Sequence, residues 1–212
     1  MSKKDCGNHD RCGCGWSCKI KKKYRKILIG LGFFILLIAL LILIIWLVLR
    51  PTKPRYYLQD LIVYNLNLTG PAFLSTTLQA TLKSHNPNDR IGIYYDKLDV
   101  YAIYKGQQIT IPTELPIQYQ GHDDVSIWSP YLTGTDVPLA PYLTVALTQD
   151  EAAGYVLIDV RVHGRLRWKV GTWISGNYHI DVNCPAFLTV GGVGMDGHGF
   201  QFKPVTQCNV DV

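Results

Sequence analysis

The first strong pattern along the chain is an uninterrupted apolar run from Ile27 to Leu49, which contains no charged residue. At ~1.5 Å per residue, a helix of this length measures about 34 Å, enough to cross a hydrocarbon core of about 30 Å. The segment is apolar on every side, whereas the core helix of a soluble domain is amphipathic. It therefore predicts a transmembrane helix.

A cleaved signal peptide is the alternative interpretation of this segment. Its hydrophobic region normally spans about 7–15 residues and ends in small residues at the cleavage site. Here the apolar run is longer and leaves through Val48-Leu49-Arg50-Pro51. We therefore expect a retained signal anchor.

From Tyr56 onward, apolar and polar residues alternate with period two, which is typical of antiparallel strands. The clearest alternation is Val156, Ile158, Val160 and Val162. Turn residues separate the alternating runs, as at Asn86-Pro87 and Lys105-Gly106. The other predicted strands are Tyr57–Leu68, Leu78–Lys83, Leu98–Tyr104, a hairpin partner in Gln107–Leu115, Leu166–Val170, Tyr178–Val182 and Cys208–Val212. Seven or eight short strands predict a mainly β fold, an antiparallel β-sandwich of the immunoglobulin or fibronectin type.

One segment departs from this pattern. Its apolar residues follow Pro138 at helical spacing and stop near Gly154; they are Leu139, Tyr142, Leu143, Ala146 and Leu147. This spacing predicts one amphipathic helix packed on or between the sheets.

These patterns divide the chain into a cytosolic tail (1–26), a membrane span (27–49), a linker (50–55) and an extracellular β-sandwich domain (56–212). Basic residues ahead of the span include Arg11, Lys19, Lys21, Lys22, Lys23, Arg25 and Lys26; only Arg50, Lys53 and Arg55 follow closely behind it. The positive-inside rule therefore places the N-terminus in the cytosol. The net charge of +5 is largely this cluster, so it predicts contact with anionic lipids of the inner leaflet and not with nucleic acid.

The six cysteines divide between the two compartments. Cys184 and Cys208 fall in the outer domain, where an oxidising environment favours a disulfide. Each lies on the inward parity of its strand, with Tyr178, Ile180 and Val182 before one and Val210 and Val212 after the other. Two inward half-cystines on neighbouring strands can meet across a sheet, so we expect a disulfide. The alternative is two unpaired buried thiols.

The tail and the start of the outer domain hold candidate modification sites. Cys12, Cys14 and Cys18 lie near the polybasic run that precedes the span, which is typical of palmitoylation. A metal site using Cys6 and His9, or thiols with no role, are the alternatives, and zinc sites usually need a folded module. Asn67-Leu68-Thr69 is a glycosylation sequon.

We found no motif of enzyme chemistry. G-x-S-x-G, H-E-x-x-H and P-loop sequences are absent. The glycines in 192–197 match G-x-G-x-x-G, but Gly199–Pro204 does not follow as a helix, so a glycine loop is expected. His122-Asp123-Asp124 is interpreted as a polar turn. The sequence predicts no enzyme, no cofactor and no metal. The 13 tyrosines and 5 tryptophans suit strand faces and core packing, with a carbohydrate-stacking platform as the weaker alternative.

One polar pattern stands out among the predicted strands. Basic residues occupy every second position opposite the apolar set, namely Arg161, His163, Arg165, Arg167 and Lys169. On a continuous strand they form one stripe on one sheet face, although Gly164 is able to turn or bulge the chain. An ordinary solvated face is one interpretation. The other is an anion-binding surface for acidic wall polysaccharide, lipid headgroups or an acidic partner.

Several stretches together resemble a known family. They are His85–Asp96 (HNPNDRIGIYYD), Tyr119–His122 (YQGH), Gly164–Trp173 (GRLRWKVGTW) and Cys184-Pro-Ala. Together they resemble the plant harpin-induced-like and non-race-specific disease resistance proteins, which carry a late-embryogenesis-abundant group 2 domain. The resemblance covers about Ile27 to the C-terminus and excludes the tail before Lys19.

The resemblance implies a plant plasma-membrane protein of pathogen and hypersensitive or abiotic stress responses. It also implies an immunoglobulin- or fibronectin-like sandwich, a late cysteine pair matching Cys184 and Cys208, and no catalytic residues. The leading hypothesis is a membrane-anchored interaction or signalling protein whose outer domain contacts wall or protein partners. The alternatives are adhesion of membrane to wall through acidic polysaccharide, and binding of an apolar ligand between the sheets. The sequence does not specify an oligomeric state.

Overall fold

The computed structural model describes residues 15–48, 51–70, 72–192, 199–202 and 205–212. Contacts divide the chain into two units, with the boundary between Arg50 and Pro51. The first unit contains one helix, and the second contains all the described strands and a second helix.

The helix of the first unit, α1, spans Gly15–Val48. Within it, Tyr24–Ile44 is long and apolar enough to cross a membrane, with a mean hydropathy of 3.3 and no burial against other parts of the chain. The helix begins well before Ile27, because the Lys- and Arg-rich stretch ahead of the apolar run also consists of good helix formers. Within the described parts of the chain, no second helix meets the same length and hydropathy test.

The second unit is built from fourteen described strands. In chain order they are β1 (Arg55–Thr69), β2 (Phe73–His85), β3 (Ile91–Tyr104), β4 (Gln107–Gln108), β5 (Thr113–Leu115), β6 (Gln118–Gln120), β7 (Val125–Trp128), β8 (Tyr131–Pro138), β9 (Tyr155–Val170), β10 (Trp173–Ile174), β11 (Tyr178–Gly192), β12 (Gly199–Phe202), β13 (Thr206–Gln207) and β14 (Asn209–Asp211). Helix α2 (Pro141–Ala152) lies between β8 and β9.

The strands form two antiparallel sheets. The first has the order β13-β1-β2-β7, with β8 also pairing with β2. The second has the order β12-β11-β9-β3-β4, with β5 and β6 on β3, β10 on β9 and β14 on β11. Inward residues of both sheets share one core, including Leu78 and Leu82 from the first sheet and Val160 and Val182 from the second. The predicted antiparallel sandwich is therefore confirmed.

The strand count is higher than the seven or eight predicted from the sequence. Five strands, β1, β2, β3, β9 and β11, contain 13 to 16 residues each, and several short strands share each long partner. The predicted hairpin partner in Gln107–Leu115 is split into β4 and β5, because Ile111 N donates to Thr133 O of the other sheet between them. Strands β7 and β8 carry no clear alternation and were not predicted.

Helix α2 confirms the predicted amphipathic segment. Leu143 and Leu147 are buried as predicted, and so is Leu139 just before the helix, whereas Tyr142, which was predicted on the apolar face, is exposed. Pro141 occupies the first turn, where its missing N–H costs nothing. The helix ends before Gly154, whose φ of +85° is a conformation that glycine adopts without strain.

Candidate functional site

The five basic residues predicted as a stripe lie on the outer face of β9. They alternate with buried neighbours such as Val162 and Leu166. We call this surface the basic face, comprising Arg161, His163, Arg165, Arg167 and Lys169. Gly164 neither turns nor interrupts the strand. A Cβ there would clash with the Lys97 carbonyl oxygen and with Leu98, so glycine allows β3 to approach closely.

Arg167 is tied into the fold at one end of the basic face. Its Nε and Nη2 donate to the two carboxylate oxygens of Asp96, each at 2.6 Å. Asp96 lies where the register of β3 shifts against β9, between Tyr95 and Lys97. These charge-assisted bonds raise the pKa of the Arg167 guanidinium. Half-buried and paired, Arg167 is a structural cation more than a ligand-binding one.

Lys169 is held by an aromatic pair. Its Nζ lies 4.9 Å from the ring centre of Tyr119 and 5.5 Å from that of Tyr94. The two rings are 4.6 Å apart, and Tyr119 covers Gly92, where a Cβ would overlap the ring. Cation–π attraction therefore fixes the ammonium group over the sheet.

His163 lies in the middle of the basic face, beside a carboxylate. Its Nδ1 is 2.6 Å from Asp181 Oδ1, and its ring stacks at 6.5 Å on that of His179. In register, His163 is flanked by Asp181 on β11 and Asp99 on β3. This row therefore contains two carboxylates and one histidine.

Arg161 and Arg165 remain as the exposed cations. Within the described residues, neither forms an ion pair within 4.0 Å. Arg165 lies in register with Lys97 on one side and His179 on the other. Arg161 lies two positions along β9 from Asp159. Burial raises the pKa of Asp159, and the nearby arginine charge lowers it in part. Arg161 and Arg165 are thus the arginines of the basic face without an ion pair among the described residues.

The disulfide lies at the point where the end of the chain changes sheets. Cys184 and Cys208 are bonded across a separation of 24 residues, and both are buried. Just before Cys208, β13 pairs with β1 of the first sheet; just after it, β14 pairs with β11 of the second. Cys208 N itself donates to Tyr56 O. The inward parity holds for Ile180, Val182 and Cys184, whereas Tyr178 and Val212, also predicted to face inward, are exposed.

The predicted linker is part of the β-domain. Thr52 N donates to Asn88 Oδ1, and Asn88 Nδ2 donates back to Thr52 O, both at 2.8 Å. Pro54 is buried and Arg55 begins β1. Asn88 is itself held by Asn86, whose side chain donates to the carbonyls of Ile91 and Gly121. This amide network fixes the entry of the chain into the domain.

The remaining predicted sites are placed as follows. Asn67 is exposed on β1, opposite Ser75. Cys12 and Cys14 lie outside the described residues, as does most of the glycine loop after Gly192, whereas Cys18 falls within α1. Asp124 accepts from Gly121 N and Val125 N, the arrangement of a turn. No group of three metal-ligating side chains occurs within the described residues.

A side cleft runs along the unpaired edge of β1. Its volume is about 570 Å³. Its lining is partly apolar and partly polar and consists of Val63, Tyr64, Asn65, Leu66, Asn67, Glu151, Val190 and Phe200. The cleft therefore lies between the edges of the two sheets, next to the end of α2.

The partners of the basic face were not predictable from the stripe itself. Asp96 meets Arg167 only because β3 bulges, and Tyr119 reaches Lys169 from a short strand at the far side of β3. For the ion pair of Asp96 with Arg167, the opposite charges of the two residues were the only signal in the sequence. Nothing in their spacing indicates that they are in contact.

Two Arabidopsis thaliana proteins match this chain along its length. NDR1/HIN1-like protein 1 is 47% identical over 99% of this chain and 100% of its own length, and NDR1/HIN1-like protein 12 is 43% identical over 100% of both. This chain belongs to the NDR1/HIN1-like family. The resemblance found in the sequence motifs is thereby confirmed.

Further comparisons extend this assignment. The family model described as late embryogenesis abundant protein matches residues 81–185, which include the whole basic face. The Arabidopsis protein NDR1 is 25% identical over 80% of this chain and 78% of its own length. Membership of the NDR1/HIN1-like family supports a role related to plant defence or stress.

Similarity to solved structures is weaker. An Arabidopsis thaliana protein solved in solution is 13% identical, covers 68% of this chain and 87% of its own, and has a TM-score of 0.37. A late embryogenesis abundant protein is 15% identical, covers 88% of both chains and has a TM-score of 0.28.

Proposed function

We propose that this NDR1/HIN1-like protein is a non-enzymatic, single-pass membrane protein of plant defence and stress responses, with its tail in the cytosol and its β-domain outside the plasma membrane. The observation that carries this proposal is the apolar helix Tyr24–Ile44, none of which is buried by the protein. Unsatisfied apolar surface of this extent is stable in a bilayer and not in water.

Two independent features support the orientation. Basic residues such as Lys21 and Lys22 precede the span, which favours a cytosolic N-terminus. The β-domain carries the Cys184–Cys208 disulfide, and such bonds persist in oxidising compartments outside the cytosol. Both features support the proposal that the residues after Pro51 lie on the outer side.

Epitope tags at the two ends test this topology in sealed plant cells. Protease added outside should remove a C-terminal tag and spare an N-terminal one until detergent is added. Protection of both tags in intact cells would contradict a plasma-membrane location, and loss of the N-terminal tag alone would contradict the orientation.

The outer domain, in this proposal, contacts an acidic polysaccharide of the wall through the basic face. Arg161 and Arg165 support this assignment, because they are exposed cations without an ion pair among the described residues. Guanidinium groups bind carboxylates through paired N–H donors, so a polyuronate chain is a fitting partner. Such binding is screened by salt, because the charges lie at the surface.

The full chain in lipid nanodiscs should bind polygalacturonate at low salt and release it at high salt. Replacing Arg161 and Arg165 with Gln should weaken binding by about tenfold, equivalent to ~1.4 kcal/mol. The matched control, Arg90→Gln with Lys83→Gln, removes the same charge from residues outside the basic face. Equal losses of affinity in both double variants would mean that net charge alone accounts for polygalacturonate binding. That result would overturn the assignment of binding to the basic face.

The side cleft favours a second candidate function, binding of an apolar ligand. Val63, Leu66, Val190 and Phe200 contribute apolar walls to its volume of about 570 Å³, and pockets of this size hold small molecules. A fluorescent fatty acid tests this candidate. It should bind the full chain with a change in fluorescence, and Asn65→Trp at the rim of the cleft should block that binding. Unchanged fluorescence in the wild type would remove it.

A further inference from the structure

The outer face of the first sheet carries a cluster of exposed apolar and aromatic side chains. Ile62, Gln79 and Tyr131 are paired in one row across β1, β2 and β8. Tyr64 falls at the register shift of β1 between Val63 and Asn65. Ile62, Tyr64 and Tyr131 are exposed at 42%, 46% and 54%. We call these four residues (Ile62, Tyr64, Gln79 and Tyr131) the tyrosine platform.

The two rings of the tyrosine platform are held next to each other. Their centroids are 5.9 Å apart and their planes are inclined by 38°. The Tyr64 hydroxyl donates to Gln79 Oε1 at 2.9 Å, which fixes both the ring and the amide. The side-chain N–H groups of Gln79 have no hydrogen-bond partner within the described part of the chain. The platform therefore offers two flat apolar surfaces and free donors between them.

The rows next to the tyrosine platform are polar and contain no cation. The next row along the sheet pairs Asn65, Thr77 and Thr133. On the other side, Thr81 and Ser129 share a hydrogen bond of 3.2 Å, and Thr81 is paired with the carboxylate-bearing Asp60. This composition contrasts with the basic face of the opposite sheet, where cations and carboxylates occupy successive rows.

We propose that the tyrosine platform binds a neutral polysaccharide, an uncharged β-linked glucan chain, by stacking successive sugar rings on Tyr64 and Tyr131. A pyranose ring has an apolar C–H face, whose burial against an aromatic ring is favourable. Its hydroxyl groups accept from amide N–H groups and exchange hydrogen bonds with threonine and asparagine. Two adjacent rings match two consecutive sugars of a linear chain.

The position of the tyrosine platform limits the cost of binding. It spans three paired strands, with β2 in the centre of its sheet, so its backbone is already ordered. Preorganised side chains lose less entropy on association. An acidic chain gains nothing here, because the rows of Ile62 and Asn65 contain no cation. The platform is therefore separate from the basic face in both place and chemistry.

Binding of cellohexaose to the full chain in lipid nanodiscs, measured by calorimetry, tests the proposal. Replacing Tyr64 and Tyr131 with Ala should weaken binding by about tenfold or more, as for truncation of aromatic anchors. Tyr64→Phe keeps the ring and should retain most of the affinity. The matched control is Tyr142→Ala, which removes an exposed tyrosine from α2.

The outcomes separate this site from the basic face. Loss of cellohexaose binding in the double variant with unchanged polygalacturonate binding supports the proposal, provided that thermal unfolding shows an intact fold. No cellohexaose binding by the wild type, or equal binding by the double variant, overturns it. Binding that appears only after Asn67→Gln also overturns it, because the chain's own glycan would then be the occupant.

Discussion

Asp96 accepts two hydrogen bonds from Arg167, both 2.6 Å long. Asp96 lies at the bulge where the register of β3 shifts against β9. The pair divides the basic face into two parts. Arg167 is engaged with the fold, whereas Arg165, two residues earlier on the same strand, has no ion pair among the described residues. Substitutions at these two arginines should therefore have different effects.

Arg167→Gln should lower the free energy of unfolding by about 1 kcal/mol, because both partners are about one-third exposed and water screens their attraction. Arg165→Gln should leave stability within about 0.5 kcal/mol of wild type, as for other surface changes. Chemical denaturation of the two variants checks this difference. A larger loss for Arg165→Gln would mean that the exposed arginine, and not the paired one, supports the sheet.

Loss of the disulfide should destabilise the β-domain. Replacing Cys184 and Cys208 with Ser opens a loop of 24 residues in sequence separation, for which chain entropy gives a loss of about 3.5 kcal/mol. Denaturant unfolding of the double variant, with Cys18→Ser as the control cysteine outside the β-domain, measures the effect. Equal stability of reduced and oxidised protein would be inconsistent with this role.

Gly164→Ala should be costly although alanine has the higher strand propensity. The new Cβ would overlap the Lys97 carbonyl and the Leu98 side chain, and such overpacking costs about 1–3 kcal/mol. Gly176→Ala is the matched control, because no atom lies within 4 Å of its Cβ position. Thermal unfolding of both variants should show a lower Tm only for Gly164→Ala.

Stability should decrease at alkaline pH because of buried tyrosines. Burial raises the pKa of Tyr95 to about 12 from the ordinary 10.0, and burial also raises the pKa of Tyr56. Between pH 10 and pH 12 the unfolded chain loses the Tyr95 proton while the folded chain keeps it. The contribution of Tyr95 to the free energy of unfolding is therefore constant below about pH 10, and it falls by about 1.4 kcal/mol per pH unit between about pH 10 and pH 12.

Phenylalanine variants separate the two tyrosines. Tyr56→Phe should cost little at pH 7, because its buried hydroxyl has no hydrogen-bond partner in the described structure. Tyr95→Phe should cost about 1–2 kcal/mol, because it removes hydrogen bonds with Ser84 and Gln120. Each variant should reduce the alkaline slope in denaturation curves recorded from pH 9 to pH 12. A slope identical to that of wild type would exclude both hydroxyls as its source.

Local periodicity was sufficient for much of the fold. The alternation from Val156 to Val162 predicted β9, and the spacing of Leu139, Leu143 and Leu147 predicted α2. Inward parity brought Cys184 and Cys208 into consideration as a pair, and the structure joins them. These features succeed because burial of one face acts on each element separately.

Features that depend on register were not predictable. Tyr64 and Tyr131 belong to strands that meet only through β2, and a bulge brings Tyr64 to the platform. Asp96 likewise reaches Arg167 through a bulge. One extra residue changes which side chains are opposite each other, and no local pattern reports it. Sequence therefore located the basic face but not its internal pairing.

The ends of the β-domain meet, since Lys53 Nζ lies 3.2 Å from Asp211 Oδ1. Asp211 is also in register with Asp181, which contacts His163. A fluorescent reporter fused after Val212 would thus begin beside the basic face, two strands from His163, and would crowd a polymer arriving there. The tyrosine platform, on the other sheet, would stay open. A protein that carries such a fusion should therefore lose polyuronate binding selectively, and a long spacer before the reporter should restore it.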